Sequence, residues 1–219
     1  MKHKLGIVCI LLGAALIGSA LLLFGYNRAE DAQAGTASQE AVSEIQKQIE
    51  QAKTVAMETQ VTNQEENANQ SPEPSMDEIL ESDDEPYTTG PVTMVGSYEY
   101  IGVLDLPALG LSLPIMSDWD YERLKMAPCR QFGSAETGDL VIAGHNYVNH
   151  FGSLGMLKAG DAVTFTGTDG AVYSYVVSET ATISPTETEK VTGSGYPLVL
   201  YTCTYGRQHR IVIYCERAS

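Results

Sequence analysis

The C-terminal part of the chain is predicted to fold as a mainly β domain, either a barrel or a sandwich. From about residue 98 to residue 217, short runs of β-branched and aromatic residues recur, and glycine and proline separate them. Seven or eight such runs in about 120 residues give the spacing of an all-β fold. A domain of this size buries an adequate core without disulfides.

The predicted strands are the runs YEYIGVLDLP, LSLPIM, DLVIAGH, AVTFTG, AVYSYVVSE, PLVLYTC and RIVIYCE. Asp169 and Gly170 separate the fourth run from the fifth and predict a hairpin, because Asp-Gly suits turns that need a positive φ. One or two short helices are expected in addition, at 118–125 and 148–157.

A single transmembrane helix is predicted at the N-terminus. Residues 5–26 contain no charged side chain and are long enough, at ~1.5 Å per residue, to cross a hydrocarbon core of roughly 30 Å. Lysines precede this run and an acidic stretch follows it, so we expect 1–26 to be a cytoplasmic tip and membrane anchor, with the remainder outside. The alternative is a cleaved signal peptide that ends at the triplet AQA (32–34). Both interpretations export the chain.

The acidity of the chain is concentrated in a middle segment, 27–90, which carries −12 of the total net charge of −15. This segment is rich in Glu, Gln, Ser and Thr and poor in aromatic residues, so we expect a largely disordered extracytoplasmic linker. A short helix at 38–60 is predicted within it, because Val42, Ile45 and Ile49 recur at steps of three and four. No basic stripe is present, which excludes nucleic acid as a partner.

Three side chains with catalytic chemistry lie at predicted strand ends in the domain at 91–219. His145 follows one strand, Cys203 ends another and Arg210 begins the last. If the last two strands pair antiparallel, Cys203 and Arg210 face each other across the mouth of a hairpin. Thiol, imidazole and guanidinium together make an acyl-transfer site. Taken singly, a structural histidine and a buried cysteine are the plainer interpretations.

Other residues of these types leave alternatives open. Arg207 lies in the predicted turn and His209 falls on the opposite strand face, so Arg210 is preferred as the functional cation. The cysteines and histidines lack the spacing of a zinc site, and no metal or other cofactor is expected. The exported part holds three cysteines, an odd number that indicates a free reactive thiol, while a disulfide between Cys129 and Cys215 stays open.

Three segments resemble the sortase family. LVLYTCTYGRQHRIVIY is similar to the sortase motif T-[LVI]-x-T-C followed by an arginine, LVIAGHN to its strand with Gly-His, and IGVLDLPALGLSLPI to the start of its barrel. They occur in sortase order and cover residues 98–217. The segment after the histidine is closer to classes C and D than to class A, and TCTY has a class B-like feature.

This resemblance implies an eight-stranded sortase-type β-barrel and a cysteine transpeptidase of Gram-positive cell surfaces. Cys203 would be the nucleophile, His145 the general acid and base, and Arg210 the stabiliser of the oxyanion. Thr202 matches the threonine of the motif and would bind substrate. The implied substrates are surface proteins with an LPxTG-like C-terminal sorting signal. The implied acceptor is an amine of a peptidoglycan precursor or of a pilin.

Two other functions are weighed against the transpeptidase. A catalytically silent surface peptide-binding module has no need of Cys203, His145 and Arg210 together, whereas a hydrolase that releases surface proteins shares the first step. The triplet at 85–87, Glu-Pro-Tyr, is similar to the lid of pilin-assembling sortases, but the plain end of a linker is the preferred interpretation.

Overall fold

A computed structural model describes residues 2–63, 90–204, 206 and 208–218 of the chain. Three sequence hypotheses lie wholly or partly outside these residues. They are the lid triplet at 85–87, the role of Arg207 as the alternative cation, and the disordered linker from residue 64 to residue 89.

The described residues form nine strands, which are β1 (Thr93–Val95), β2 (Tyr98–Leu106), β3 (Leu111–Met116), β4 (Cys129–Phe132), β5 (Leu140–Ala143), β6 (Ala162–Gly167), β7 (Val172–Ile183), β8 (Leu198–Cys203) and β9 (Arg210–Arg217). The same residues form three α-helices, α1 (Lys2–Asn63), α2 (Tyr121–Met126) and α3 (Glu189–Thr192), and two 3-10 helices, Pro107–Leu109 and Leu154–Met156.

Eight of the strands close into a barrel. Neighbouring strands follow the order β2-β3-β4-β5-β8-β9-β7-β6, and β6 pairs back onto β2. β1 pairs antiparallel with the start of β2, outside this ring. The predicted eight-stranded barrel is therefore confirmed, and the sandwich alternative is excluded.

Two local predictions agree with the structure. β6 and β7 pair antiparallel across the expected Asp-Gly turn, where Gly170 has a φ of 81°. The helix expected at 118–125 is α2, which begins after Asp120. The carboxylate of Asp120 accepts hydrogen bonds from the backbone N–H groups of Glu122 and Arg123, and this cap fixes the start of α2.

The segment 148–157 differs from its prediction, because it consists of turns and one 3-10 helix instead of an α-helix. The backbone N–H groups of His150 and Gly152 both donate to the carbonyl of Tyr147, at 3.0 and 2.8 Å. A Cβ at position 152 would lie 2.7 Å from that carbonyl oxygen, so glycine permits the tight turn. The chain therefore folds around the Tyr147 carbonyl instead of continuing as a helix.

Apolar side chains are buried on both faces of the sheet. One cluster fills the barrel interior and includes Leu198 and Leu200. A second cluster covers the outer face beneath the helices and includes Tyr201 and Val212. Because successive residues of a strand point to opposite faces, odd-numbered residues of β8 lie outside, and so do even-numbered residues at the start of β9.

The N-terminal helix is longer than predicted, and part of it is docked on the barrel. The sequence predicts a largely disordered linker with a short helix at 38–60, but α1 runs without a break to Asn63. Its buried side chains recur at steps of three and four: Ala34, Ser38, Ala41, Val42, Ile45 and Ile49. The narrow apolar stripe meets the outer apolar layer of the barrel, which explains why this part of the acidic segment is ordered.

The first part of α1 is apolar on all sides. Among the described residues, one helix has the length and composition to cross a membrane. Large apolar side chains such as Leu16, Leu22 and Phe24 are exposed around it. Such a surface suits contact with lipid rather than with water.

Candidate active site

β8 and β9 bring the predicted thiol and guanidinium together. The two strands pair antiparallel, and Cys203 is the direct partner of Arg210 at the end of the ladder. Both residues lie on the outer face of the barrel, in line with Tyr201 and Val212. Cys203 is exposed and Arg210 is half-buried, so a reagent that reaches the thiol also meets the guanidinium.

The ring of Tyr201 holds the Arg210 side chain. The guanidinium carbon lies 5.2 Å from the ring centroid, which is within the range of a cation–π interaction. Burial raises the pKa of Tyr201 to about 12, although the charge of Arg210 acts in the opposite direction. The phenol therefore stays neutral and keeps its aromatic face for the cation.

The parallel pairing of β5 with β8 brings His145 and Cys203 to the same edge of the barrel. Ala143 is the register partner of Tyr201, and the N–H of Gly144 donates to the Tyr201 carbonyl at 3.1 Å. His145 follows Ala143 by two residues, as Cys203 follows Tyr201, so both residues lie at the same end of this parallel strand pair. The three residues that the sequence singles out from separate strand ends therefore meet at one edge of the barrel.

The turn after β5 fixes the backbone of His145. A Cβ at Gly144 would lie 2.5 Å from the Phe151 ring, so the chain can pass this ring only with glycine at that position. The N–H of Phe151, which is fully buried, donates to the His145 carbonyl at 3.0 Å. His145 is thus attached directly to the core.

A family model for the sortase domain matches residues 104–218, which is more than half of the chain. The chain belongs to the sortase family. Sortases are cysteine transpeptidases that act on surface proteins, and this chain is an enzyme of that kind. No curated protein matches the chain.

Several solved sortase structures are similar to this chain at low sequence identity. Sortase A from Corynebacterium diphtheriae, a lid mutant, is 24% identical with a TM-score of 0.51, over 57% of this chain and 73% of that one. A Clostridium perfringens sortase D5 transpeptidase is 16% identical with a TM-score of 0.54, over 84% and 99%. Sortase C-1 from Actinomyces oris is 26% identical with a TM-score of 0.48, over 54% and 73%.

In this sortase the imidazole of His145 stacks on a ring that the sequence did not single out. The centroids of His145 and Tyr147 are 4.8 Å apart and the rings are inclined by 28°. Tyr147 in turn lies 5.5 Å from the ring of His150, which is fully buried. The Nε2 atom of His150 is 3.3 Å from the Oγ of Ser38 on α1. An aromatic residue and a second histidine soon after the Gly-His pair are the sequence signals that could have indicated this row.

The protonation state of His150 follows from its surroundings. Burial lowers the pKa of His150 to about 4, and the neighbouring His145 acts in the same direction. The hydroxyl of Ser38 donates its single proton to the Met126 carbonyl at 3.1 Å, so Nε2–H of His150 is the donor in the bond to Ser38. His150 is therefore a neutral imidazole near pH 7.

Thr202 is placed differently from the other three predicted residues. It is 1% exposed and shares the interior face of β8 with Leu198 and Leu200. Its Oγ1 is buried and has no hydrogen-bond partner among the described residues. The structure does not bring this hydroxyl onto the face of Cys203, and substrate binding by Thr202 stays a prediction.

Cys203 is the accessible thiol among the three cysteines whose side chains the structure describes. Cys129 and Cys215 are free and buried, and burial raises the pKa of each thiol to about 12. A thiol with that pKa yields almost no thiolate, which is the nucleophilic form. Cys129 lies in the outer layer and Cys215 in the barrel interior, so the sheet separates them and the disulfide that the sequence left open is not formed.

Proposed function

We propose that this sortase is membrane-anchored, cleaves an LPxTG-like sorting signal through a thioester on Cys203, and transfers the surface protein to an amine of the cell wall or of a pilin. One observation carries the proposal. The exposed thiol is the register partner of Arg210 and lies beside the strand end that bears His145.

In the first half-reaction, the Cys203 thiolate attacks the carbonyl carbon of the scissile amide. Negative charge develops on the carbonyl oxygen, and the guanidinium of Arg210 donates hydrogen bonds to it. The C–S bond forms, the C–N bond breaks, and His145 gives a proton to the departing amine. The product is a thioester that links the substrate to Cys203.

In the second half-reaction, an acceptor amine attacks the thioester carbonyl. His145, now neutral, takes a proton from the incoming amine, and Arg210 again stabilises the oxyanion. The new C–N bond forms as the C–S bond breaks, which restores the thiolate of Cys203. The product is an amide between the surface protein and a peptidoglycan precursor or a pilin.

The apolar start of α1 supports the membrane anchor. We place residues 5–26 across the bilayer, with the N-terminus in the cytoplasm and the barrel outside. Cleavage at the AQA triplet would cut α1 at Ala34, inside its docked part, so we prefer the uncleaved anchor to the signal peptide.

The proposal is tested by intact-mass spectrometry of the full chain in detergent, incubated with a panel of LPxTG-like peptides. We expect the wild type to gain the mass of the peptide minus its leaving group, and Cys203→Ala to gain nothing. His145→Ala should acylate slowly, whereas His209→Ala, a matched loss of an exposed imidazole from the same rim, should acylate normally. An adduct that persists on Cys203→Ala would place the chemistry elsewhere.

Adding an amine separates transfer from release. With triglycine or hydroxylamine present, a transpeptidase converts the thioester to an amide or a hydroxamate, whereas a hydrolase gives the free acid. A free acid as the sole product, at any amine concentration, would show that the enzyme releases surface proteins instead of attaching them.

A further inference from the structure

We infer that Tyr147 and His150 are positioning residues for His145, and that the docked part of α1 holds them in place through Ser38. The inference deepens the proposed function, because it rests on His145 as the acid that protonates the leaving amine.

The first step is the contact between the two rings at the site. His145 and Tyr147 are both half-buried, and their rings are nearly parallel at 4.8 Å. A ring stacked in this way restricts rotation of the imidazole about its side-chain bonds. A general acid must stay within hydrogen-bond reach of the atom that it protonates, so the stack fixes a geometry that the reaction needs.

The second step is the support behind Tyr147. His150 packs against Tyr147 and is fully buried, and its Nδ1 has no hydrogen-bond partner among the described residues. A buried polar ring with one unsatisfied nitrogen is costly, and an apolar side chain would avoid that cost. The other nitrogen bonds Ser38, so the polar ring links the turn at 147–150 to α1.

The third step is the close approach of α1 to the same turn. The side-chain amide of Asn149 donates to the Asp31 carbonyl at 3.1 Å, and its backbone N–H donates to the Asp31 carboxylate at 3.3 Å. A Cβ at Gly35 would lie 2.7 Å from the Asn149 side chain, so α1 is pressed against the turn. The helix therefore contacts the turn at Asn149 and at His150, one residue after the other.

A consequence follows for substrates with different leaving groups. Amide cleavage needs a proton on the departing nitrogen, whereas an activated ester expels a stabilised phenolate without one. A displaced His145 should therefore slow acylation by an amide far more than acylation by an ester of the same acyl group. Loss of folded enzyme lowers both rates equally, so the ratio of the two rates reports the position of the acid.

The experiment measures single-turnover acylation of the full chain in detergent by an LPxTG-like peptide and by the nitrophenyl ester of its acyl part. His145→Ala lacks the acid altogether and should show the largest loss in the amide-to-ester rate ratio, about 100-fold or more. We expect Tyr147→Leu to lower the ratio by about 10-fold, and Tyr147→Phe, which keeps the stack, to retain it. Ser38→Ala should lower the ratio by about 3-fold, and Thr36→Ala, a solvent-exposed hydroxyl on the same helix, should not change it.

The outcomes separate this inference from the proposed function. A wild-type ratio in both Tyr147→Leu and Ser38→Ala, with the ratio lost in His145→Ala, overturns the positioning role alone. A wild-type ratio in His145→Ala overturns the acid role of His145 and this inference with it. If Tyr147→Leu does not fold, Ser38→Ala decides the matter, because it removes one hydroxyl and leaves the turn intact.

Discussion

Arg210 lies on the same face of the sheet as Cys203 and Tyr201, and its contact with the Tyr201 ring holds the guanidinium in place. We expect Arg210→Ala to lower kcat/KM for an LPxTG-like peptide by about 100-fold or more, because a charged donor to the oxyanion is lost. Arg210→Lys should recover only part of this loss, because an ammonium keeps the charge but lacks the planar fork that lies over Tyr201.

Arg207→Ala is the matched control for Arg210, since it removes the same type of side chain three positions earlier in the sequence. We expect it to keep most of the wild-type kcat/KM. A larger loss in Arg207→Ala than in Arg210→Ala would transfer the oxyanion role to the alternative residue.

His150 should make the stability of the fold depend on pH. Its pKa is about 4 in the folded protein and about 6.5 when exposed, so the unfolded state binds the proton more tightly. The stability from the neutral ring is present above pH 6.5 and is lost as the pH falls towards 4. Between pH 7 and pH 5 this single group lowers the free energy of unfolding by about 2 kcal/mol.

Denaturant unfolding of the wild type and of His150→Gln at both pH values checks this effect, with the single tryptophan, Trp119, as the fluorescent probe. Gln keeps a side-chain donor for Ser38 but does not titrate. We expect the variant to lose about 2 kcal/mol less than the wild type over this range. Equal losses in the two proteins would show that His150 is not buried as a neutral ring in solution.

At the residue scale, the sequence indicates the candidate catalytic residues better than it indicates the residues that support them. Cys203 and Arg210 stand at visible strand ends, and His145 follows a strand with glycine before it, so the pattern of the chain indicates all three. The bond between Ser38 and His150 joins residues 112 positions apart, and no local pattern predicts such a contact. Thr202 matched a motif letter, but its orientation follows from the alternation of β8, which turns its side chain inwards.

At the scale of elements, the docking of α1 depends on a few fully buried side chains. Ile45 is completely buried between α1 and the outer apolar layer. We expect Ile45→Ala to lower the free energy of unfolding by about 2–4 kcal/mol, because the cavity opens beneath a helix that cannot close it fully. Lys47→Ala, on the exposed side of the same turn, should change it by less than about 0.5 kcal/mol.

Denaturant unfolding of the full chain measures both variants of α1. If Ile45→Ala is as mild as Lys47→Ala, the helix does not rest on the barrel in solution. That result would also remove the support that we infer for the turn at 147–150.

The α1 and 148–157 segments show why elements are only partly predictable. The spacing of Val42, Ile45 and Ile49 predicts a helix, whereas the acidic composition of the segment predicts disorder. Composition alone does not show that the outer apolar layer of the barrel can cover the apolar stripe of this helix. The apolar spacing at 148–157 suggested a second helix. The backbone N–H groups of His150 and Gly152 instead donate to the Tyr147 carbonyl. This arrangement depends on packing against the core.

At the scale of the whole molecule, the strand count and the Asp-Gly hairpin follow from the sequence, whereas the neighbours of each strand do not. The parallel pairing of β5 with β8 joins Leu140 to Leu198 and brings His145 to the barrel edge that carries Cys203. Patterns of glycine and apolar residues cannot specify such a distant pairing. The resemblance to sortases predicts the barrel. The positions of Cys203, His145 and Arg210 at one edge of it follow only from the strand register of the structure.

Because α1 is unbroken, it also sets the distance between the proposed membrane span and the barrel. With Phe24 inside the bilayer, as proposed, ten residues of helix, or roughly 15 Å, separate it from Ala34, the first buried side chain described on α1. A flexible linker of the same composition would let the enzyme reach targets over a wide range of distances from the membrane. With the anchor as proposed, an unbroken helix would instead keep Cys203 within a thin layer parallel to the membrane. The height of a target above the membrane would then limit the reaction, as its sequence does.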